Sequence, residues 1–592
     1  MIQPGMSGDT ADHSPDVRWR ARIPYVLLVL VAVLPYLPTL TFGFVYDDHL
    51  AIEENPHLNL WPGFQRIFLS DVWTLSASAS DSNYYRPMFL VAYHAVFHAA
   101  GARPVAFHLV NLLFHVATTL MVFTLSLRIW KKTSIGVIAS VLFALHPTHA
   151  EPVAWVAALS ELGYTLFLIV GLYFYIQEHP SRWTHVLAMA SFAVALLWKE
   201  SAVAFVPLIV LWDVVVTKQW RWKLWGAAAA VTLAYLMLRV VALGGLAPAV
   251  HYQLTLTTQL LTALSNVGFY VRKLIAPLRL SAVYGTEFVS TLNAKIVLVL
   301  VLAALGAWKL RGRQAWSALW IVVGLLPVLL VSRVVVPLAD RDLYLPSIGF
   351  AWLLAVALDS LTRRVAVPAC GALAIVSLVL LVQQLPVWRD DIPLFKQALE
   401  RQPDSSSIRL LLASELARRN QSSEAIHYLD EILAVRPDDI QALVDKAGVQ
   451  LSARDFAGVR STCAKVFAFD PNSARCWYDM GYLEEVEGNL AEAREKFAKA
   501  YKLDPELSQA LLHQGLMEAR TGSLESAAKT LELAVQRLPT APALNNLGTV
   551  YAERGDLKKA VDSFRTALRV DPSFELARHN LERAIADAQT VR

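Results

Sequence analysis

Two adjacent carboxylates, Asp47 and Asp48, close the segment Phe44-Val45-Tyr46-Asp47-Asp48-His49 directly after the first long apolar run of this 592-residue chain. Neighbouring like charges at a membrane surface are unfavourable unless they bind something. Further polar side chains follow, each beside apolar sequence. Tyr85-Arg86-Pro87 supplies a guanidinium, Trp198-Lys199-Glu200-Ser201 an ammonium, and Ala339-Asp340-Arg341-Asp342 a second guanidinium. The segment His146-Pro147-Thr148-His149-Ala150-Glu151 groups two imidazoles with a carboxylate. His108, Asn111 and His115 recur at i, i+3 and i+7, which places them on one face of a helix. Such side chains are the equipment of a site for a polar ligand. An Asp-Asp pair alone is common in any loop, so the reading rests on the whole set.

The elements that must position these residues are membrane helices. Hydrophobic residues make up 55% of the chain and charged residues 17%, which is too apolar for a soluble protein of this length. Stretches able to span about 30 Å of hydrocarbon lie near 24–42, 104–127, 134–148, 158–177, 184–198, 201–217, 224–243, 295–309, 315–332, 347–361 and 366–385, eleven in all. Another, near 255–278, is rich in Thr and ends in Arg272 and Lys273. The positive-inside rule fixes the sides. With eleven crossings, Arg18/Arg20/Arg22, Arg128/Lys131/Lys132, Lys218/Arg221/Lys223, Lys309/Arg311/Arg313 and Arg363/Arg364 are all cytoplasmic. Counting 255–278 as a crossing would put the last two clusters outside, so that stretch reads as re-entrant or interfacial. The acid pair, the turn near 146–157, the loop near 333–346 and everything after 385 then share the outer face. Arginines followed by a long apolar run without a small-residue cleavage site read as a first transmembrane helix, not a signal peptide.

After about residue 385 the composition becomes polar and helical. Pro403, Pro437, Pro471, Pro505 and Pro539 are spaced 34 apart, and Pro572 follows 33 later. This is the tetratricopeptide period. Trp477, Gly481, Ala493, Phe497, Ala500 and Pro505 fit the repeat pattern, as do Leu544, Gly548, Tyr551, Ala560, Phe564, Ala567 and Pro572. Five full repeats are expected from about 406 to 573, preceded by a lone second helix at 391–403 and closed by a polar capping helix at 574–589. Stacked repeats make a superhelix whose concave side suits an extended peptide or a partner protein. The fold class is therefore all-α, a polytopic bundle of about eleven crossings followed by a solenoid. The domains are a cytoplasmic tail 1–23, a transmembrane domain 24–385 and a repeat domain 386–592.

The motif series YDD, YRP, FHLVN, HPTHAEPVAW, WKES and ADRDLYLPS, in that order and ahead of such repeats, resembles the transmembrane and tetratricopeptide-repeat-containing O-mannosyltransferases and their bacterial relatives. The likeness covers nearly the whole chain. It implies membership of the GT-C superfamily, with a transmembrane catalytic bundle, an acidic motif in the first outer loop and a polyprenyl-phosphate sugar as donor. Asp47 and Asp48 match that acidic motif. The sequence departs at Ala158-Leu159-Ser160-Glu161, where relatives commonly carry a basic residue before the acid and this chain keeps only the acid.

Sugar transfer from a lipid phosphate passes through an oxocarbenium-like centre, and a phosphate leaving group calls for cations more than for a strong acid. Under the resemblance, Asp47 or Asp48 is the general base that takes the proton of the acceptor hydroxyl. Arg341, assisted by Arg86 or Lys199, holds the donor phosphate. His146, His149 and Glu151 shape the sugar pocket or hold a divalent cation. The partners implied are a polyprenyl-phosphate hexose, mannose first, and protein Ser or Thr. Two alternatives stay open: a non-catalytic membrane scaffold, and a transferase acting on a lipid-linked glycan or cell-wall polymer. Nucleic acid is not indicated, because a net charge of +4 is small and the basic residues cluster beside apolar spans. Cys370, Cys463 and Cys476 show no CxxC or paired Cys/His spacing, so no zinc site is expected, and the last two read as buried free thiols. An Ala-, Arg- and Trp-rich composition suggests a bacterial inner membrane with the repeats periplasmic or extracellular.

Overall fold

The computed structural model describes residues 15–59, 61–72, 84–245, 255–285, 288–331 and 338–590. Residues 1–14 of the expected tail, and parts of the first outer loop and of the loop near 333–346, lie outside that description. Among the described residues the regular elements are helices and there is no strand. The chain resolves into two compact units, Met1–Pro403 and Asp404–Arg592. The helix Asp391–Arg401 falls in the first unit, so the division comes later than the 385/386 boundary drawn from composition.

Among the described residues of the first unit, seven helical segments are long and apolar enough to cross a membrane: Arg22–Thr41, Pro104–Trp130, Val156–Tyr175, Glu200–Thr217, Trp222–Leu243, Gly312–Leu329 and Arg363–Trp388. Thr133–Ala144 and Pro147–Ala154 make an eighth if they are one span, bent by 52°. The bend has a local cause. His146 is extended (ψ 125°) and the next residue, Pro147, has no N–H with which to continue the helix. The other three expected spans are the shorter helices Arg182–Trp198, Ala294–Lys309 and Pro346–Asp359. The stretch 255–278 is helical over Leu256–Ile275 and is not among the segments long and apolar enough to cross.

Close approach of helices is bought with small residues. A Cβ on Gly163 would lie 2.3 Å from the Trp198 indole, and one on Gly349 would lie 2.6 Å from the Ser317 carbonyl oxygen. Three buried indoles, Trp316, Trp320 and Trp352, pack with ring centroids 5.0 to 5.6 Å apart. Each buried indole N–H needs an acceptor. They find Leu208 O (3.0 Å), Leu345 O (2.8 Å) and Ser126 Oγ (2.7 Å), which ties four helical segments together.

Two of the basic clusters, 128–132 and 218–223, sit at helix ends on one side of this bundle. Lys131 and Lys218 adopt the left-handed conformation that ends their helices. Lys132 pairs with Asp359 at 2.5 Å, Arg128 donates to Tyr173 Oη at 3.1 Å, and Arg221 donates to the Tyr175 carbonyl at 3.3 Å. Tyr173 and Tyr175 close the helix Leu159–Tyr175, whose first turn carries Glu161. At 1.5 Å per residue the two ends of that helix are about 25 Å apart.

The second unit is five helix pairs, from Ser406–Arg418 to Leu557–Val570, followed by Glu575–Thr590. Each period-marking proline falls two residues past the end of a helix, as Pro437 does after Val435 and Pro505 after Leu503. Ser405, Asp439 and Thr540 cap the following helices by accepting a backbone N–H. Gly481, Gly515 and Gly548 lie under Phe497, Leu531 and Phe564, and a Cβ on Gly548 would stand 2.6 Å from the Phe564 ring. Gly548→Val is therefore expected to destabilise the repeats by about 1–3 kcal/mol through overpacking, read as a lower urea midpoint for their unfolding. Cys463 and Cys476 are buried and free.

Candidate active site

The site begins with one unusual backbone position. Tyr46 is a non-glycine residue at φ +54°, in the left-handed region, and it turns the two following acids in different directions. Asp48 is fully buried; its Oδ1 accepts the Ala157 N–H at 2.8 Å and its Oδ2 the Val45 N–H at 3.2 Å. Burial pushes the Asp48 carboxyl well above the usual carboxylate range, against those two hydrogen bonds. It joins the first loop to the 155–158 turn and does not face open space. Asp47 does, on the wall of a cavity of about 1040 Å³ including its mouth. Burial raises the Asp47 carboxyl to about 6, with Arg341 opposing the rise.

The same cavity is lined by Arg86, Lys199 and Arg341, with Trp155, Glu161, Glu200 and Asp342. Each cation is held by a carboxylate from another segment. Arg341 pairs with Glu151 and also donates its backbone N–H to Glu151 Oε2 at 3.0 Å. Its guanidinium carbon lies 5.0 Å from the Trp155 ring centroid. Lys199 pairs with Glu161. Arg86 donates to Glu200 Oε1 at 3.2 Å and to Ser160 Oγ at 3.3 Å, and lies over the Tyr84 ring. The acids flanking Arg341 in sequence take tyrosine partners: Asp340 accepts Tyr284 Oη at 2.9 Å, and Asp342, also on the cavity, accepts Tyr270 Oη at 2.8 Å.

The polar face of the helix Pro104–Trp130 pins this arrangement. His108 Nε2 meets Gly43 O at 3.2 Å, Asn111 donates to Trp155 O at 2.8 Å, and His115 Nδ1 meets Tyr344 Oη at 2.9 Å. One face thus holds the acid loop, the 155 turn and the segment after Arg341. A second clamp comes from Asp391, which accepts the Tyr46 N–H at 2.7 Å and meets His49 Nε2 at 2.7 Å. The hydrogen bond to Asp391, with Glu53 helping, lifts the His49 imidazole to about 9 against its desolvation.

Of the residues singled out in the sequence, Asp47, Arg86, Lys199 and Arg341 come together on one wall. Asp48 and Glu151 stand behind it, each bonded to a segment that lines it. His146 and His149 are buried away from the cavity wall, bonded to Thr148 and the Leu274 carbonyl, and to Ser347. Among the described residues, no group of three or more His, Cys, Asp or Glu side chains could hold a metal ion. Glu161 and Glu200 belong to the site although the sequence reading gave them no role; their signal is an acid at the mouth of an apolar span. Asp391, in a polar stretch, carries no such signal.

Tetratricopeptide-repeat family models match residues 392–447, 478–542 and 541–574. A protein O-mannosyl-transferase of Caenorhabditis elegans is 25% identical over 455 residues, 71% of this chain and 64% of that protein. Protein O-mannosyl-transferase TMTC3 of Mus musculus is 24% identical over 477 residues, 70% of this chain and 51% of that protein. Over most of its length the chain is similar to these O-mannosyl-transferases. It spans less than two thirds of either relative's length. The apolar helices and this likeness point to a membrane protein, and the repeat models to its repeat tail. Solved structures matching part of the chain include YrrB, described as a TPR protein with an unusual peptide-binding site, at 20% identity over 31% of this chain and 96% of that one (TM-score 0.26). The type IV pilus biogenesis factor PilW matches at 20% identity over 31% of this chain and 92% of that one (TM-score 0.28).

Proposed function

We propose that this chain is a membrane glycosyltransferase that moves mannose or another hexose from a polyprenyl-phosphate donor to a Ser or Thr hydroxyl of a protein, on the non-cytoplasmic face. The observation that carries the reading is the convergence of Asp47 and three carboxylate-paired cations, from four distant segments, on a single cavity. The names of the relatives support the reaction class. The position of the basic clusters at the far end of the helix that begins at the site supports the outer face.

The cavity supplies what the reaction needs. The acceptor oxygen attacks the anomeric carbon, the bond from that carbon to the phosphate oxygen breaks, and the lipid phosphate leaves with the bonding pair. Asp47 takes the acceptor's proton, and a carboxyl raised to about 6 is a better base than an ordinary Asp while still ionised at neutral pH. Arg341, with Arg86 and Lys199, balances the charge gathering on the departing phosphate. Glu151 fixes Arg341 by engaging both its guanidinium and its backbone N–H.

Purified chain in nanodiscs, given polyprenyl-phosphate mannose and Ser/Thr peptides, is expected to yield hexosylated peptide by mass spectrometry. Consumption of the donor without peptide modification would redirect the acceptor to a glycan. No consumption of any polyprenyl-phosphate hexose would overturn the reading.

A further inference from the structure

Two carboxylates on the cavity wall are only half used. Glu161 is 2% exposed and its Oε1 is taken by Lys199, yet its Oε2 is buried with no hydrogen-bond partner among the described residues. Glu200, whose Oε1 accepts from Arg86, likewise keeps a buried Oε2 without a partner. Both residues line the cavity that holds Asp47. A buried carboxylate oxygen left unpaired is unfavourable, so an open acceptor on a cavity wall marks the place of a ligand donor. The ligand group must carry O–H or N–H and no negative charge, because a phosphate would be repelled by these acids and drawn to the cations.

We propose that Glu161, with Glu200 beside it, binds hydroxyl groups of the transferred sugar and so selects the hexose; this rests on the transferase reading above. Two acceptors on one wall suit a pair of sugar hydroxyls, each donating to one Oε2. Arg86 and Lys199 each engage one oxygen of these acids and leave the second oxygens free. The phosphate and the sugar of one donor are thereby sorted to different partners in the same space, the cations for the anion and the carboxylates for the hydroxyls.

The test separates sugar from phosphate. Binding of polyprenyl-phosphate mannose and of sugar-free polyprenyl phosphate is measured on the full chain in nanodiscs, for the wild type, Glu161→Gln and Glu161→Asp. In both variants binding of the sugar-bearing lipid is expected to weaken about tenfold more than binding of the sugar-free lipid, as the loss of a charge-assisted hydrogen bond implies. Monodeoxy donors provide the second arm: at least one deoxygenated position should weaken wild-type binding and make no further difference in Glu161→Gln. Equal weakening of both lipids, or of neither, would remove Glu161 from sugar recognition while leaving the transferase reading standing. A wild type that binds neither lipid overturns both.

Discussion

Asp47→Asn is expected to lower kcat for sugar transfer by about 10²–10⁴-fold, with donor binding largely kept. The amide retains the shape of the side chain and cannot accept the acceptor's proton. The wild-type pH profile carries the same signature. The proposed proton transfer requires the deprotonated form, and the carboxyl is raised to about 6, so kcat/KM should fall as pH drops through that value and level off above it. In Asp47→Asn that limb should vanish. Asp48→Asn should behave differently, because both oxygens of Asp48 accept backbone N–H groups and neither faces the cavity. An asparagine can accept only one of the two, so a loss of about 1–3 kcal/mol in stability is expected, with the acidic limb of any residual activity still present. Wild-type transfer by Asp47→Asn would remove that residue from the proton-transfer step.

Arg341→Gln is the second large effect, and its two components can be separated. Removing the guanidinium leaves Glu151, 2% exposed, without its counter-charge, a change worth roughly 3–5 kcal/mol in other buried pairs. Under the proposed mechanism it also takes a cation from the departing phosphate, at about 10²–10³-fold in kcat. Glu151→Gln breaks the same pair and leaves the cation in the cavity. If Arg341 serves only the fold, the two variants lose stability and activity alike. If it holds the phosphate, Arg341→Gln loses far more activity, and the double variant regains stability without regaining transfer. The pH profile adds an independent reading. Arg341 opposes the upward shift of Asp47, so its removal should move the acidic limb to higher pH, which thermal melts cannot mimic.

The helical architecture was legible because period and hydropathy are properties of contiguous sequence. The prolines 34 apart locate helix ends, and Gly481 and Gly548 show where paired helices touch. The number of crossings was less legible. Stretches such as 184–198 and 347–361 are apolar enough but become helices of 17 and 14 residues, and a break at Pro147 splits another. For the site, residue type in an apolar setting was enough to find Asp47, Arg86, Lys199 and Arg341, since charge beside hydrocarbon is rare without a use. The same signal could not separate wall from support. His146, His149 and Asp48 stand out equally in sequence, and only their hydrogen bonds show that they brace segments from behind. Pairings such as Arg341 with Glu151 join residues 190 positions apart, and no local pattern announces them.

Asp391 grips Tyr46 and His49 from 345 and 342 positions downstream. Translation runs from the amino terminus, so the acidic turn emerges early and waits, ungripped, while every later crossing is threaded. The clamp on that turn can therefore close only after the ribosome has passed the last of the apolar spans.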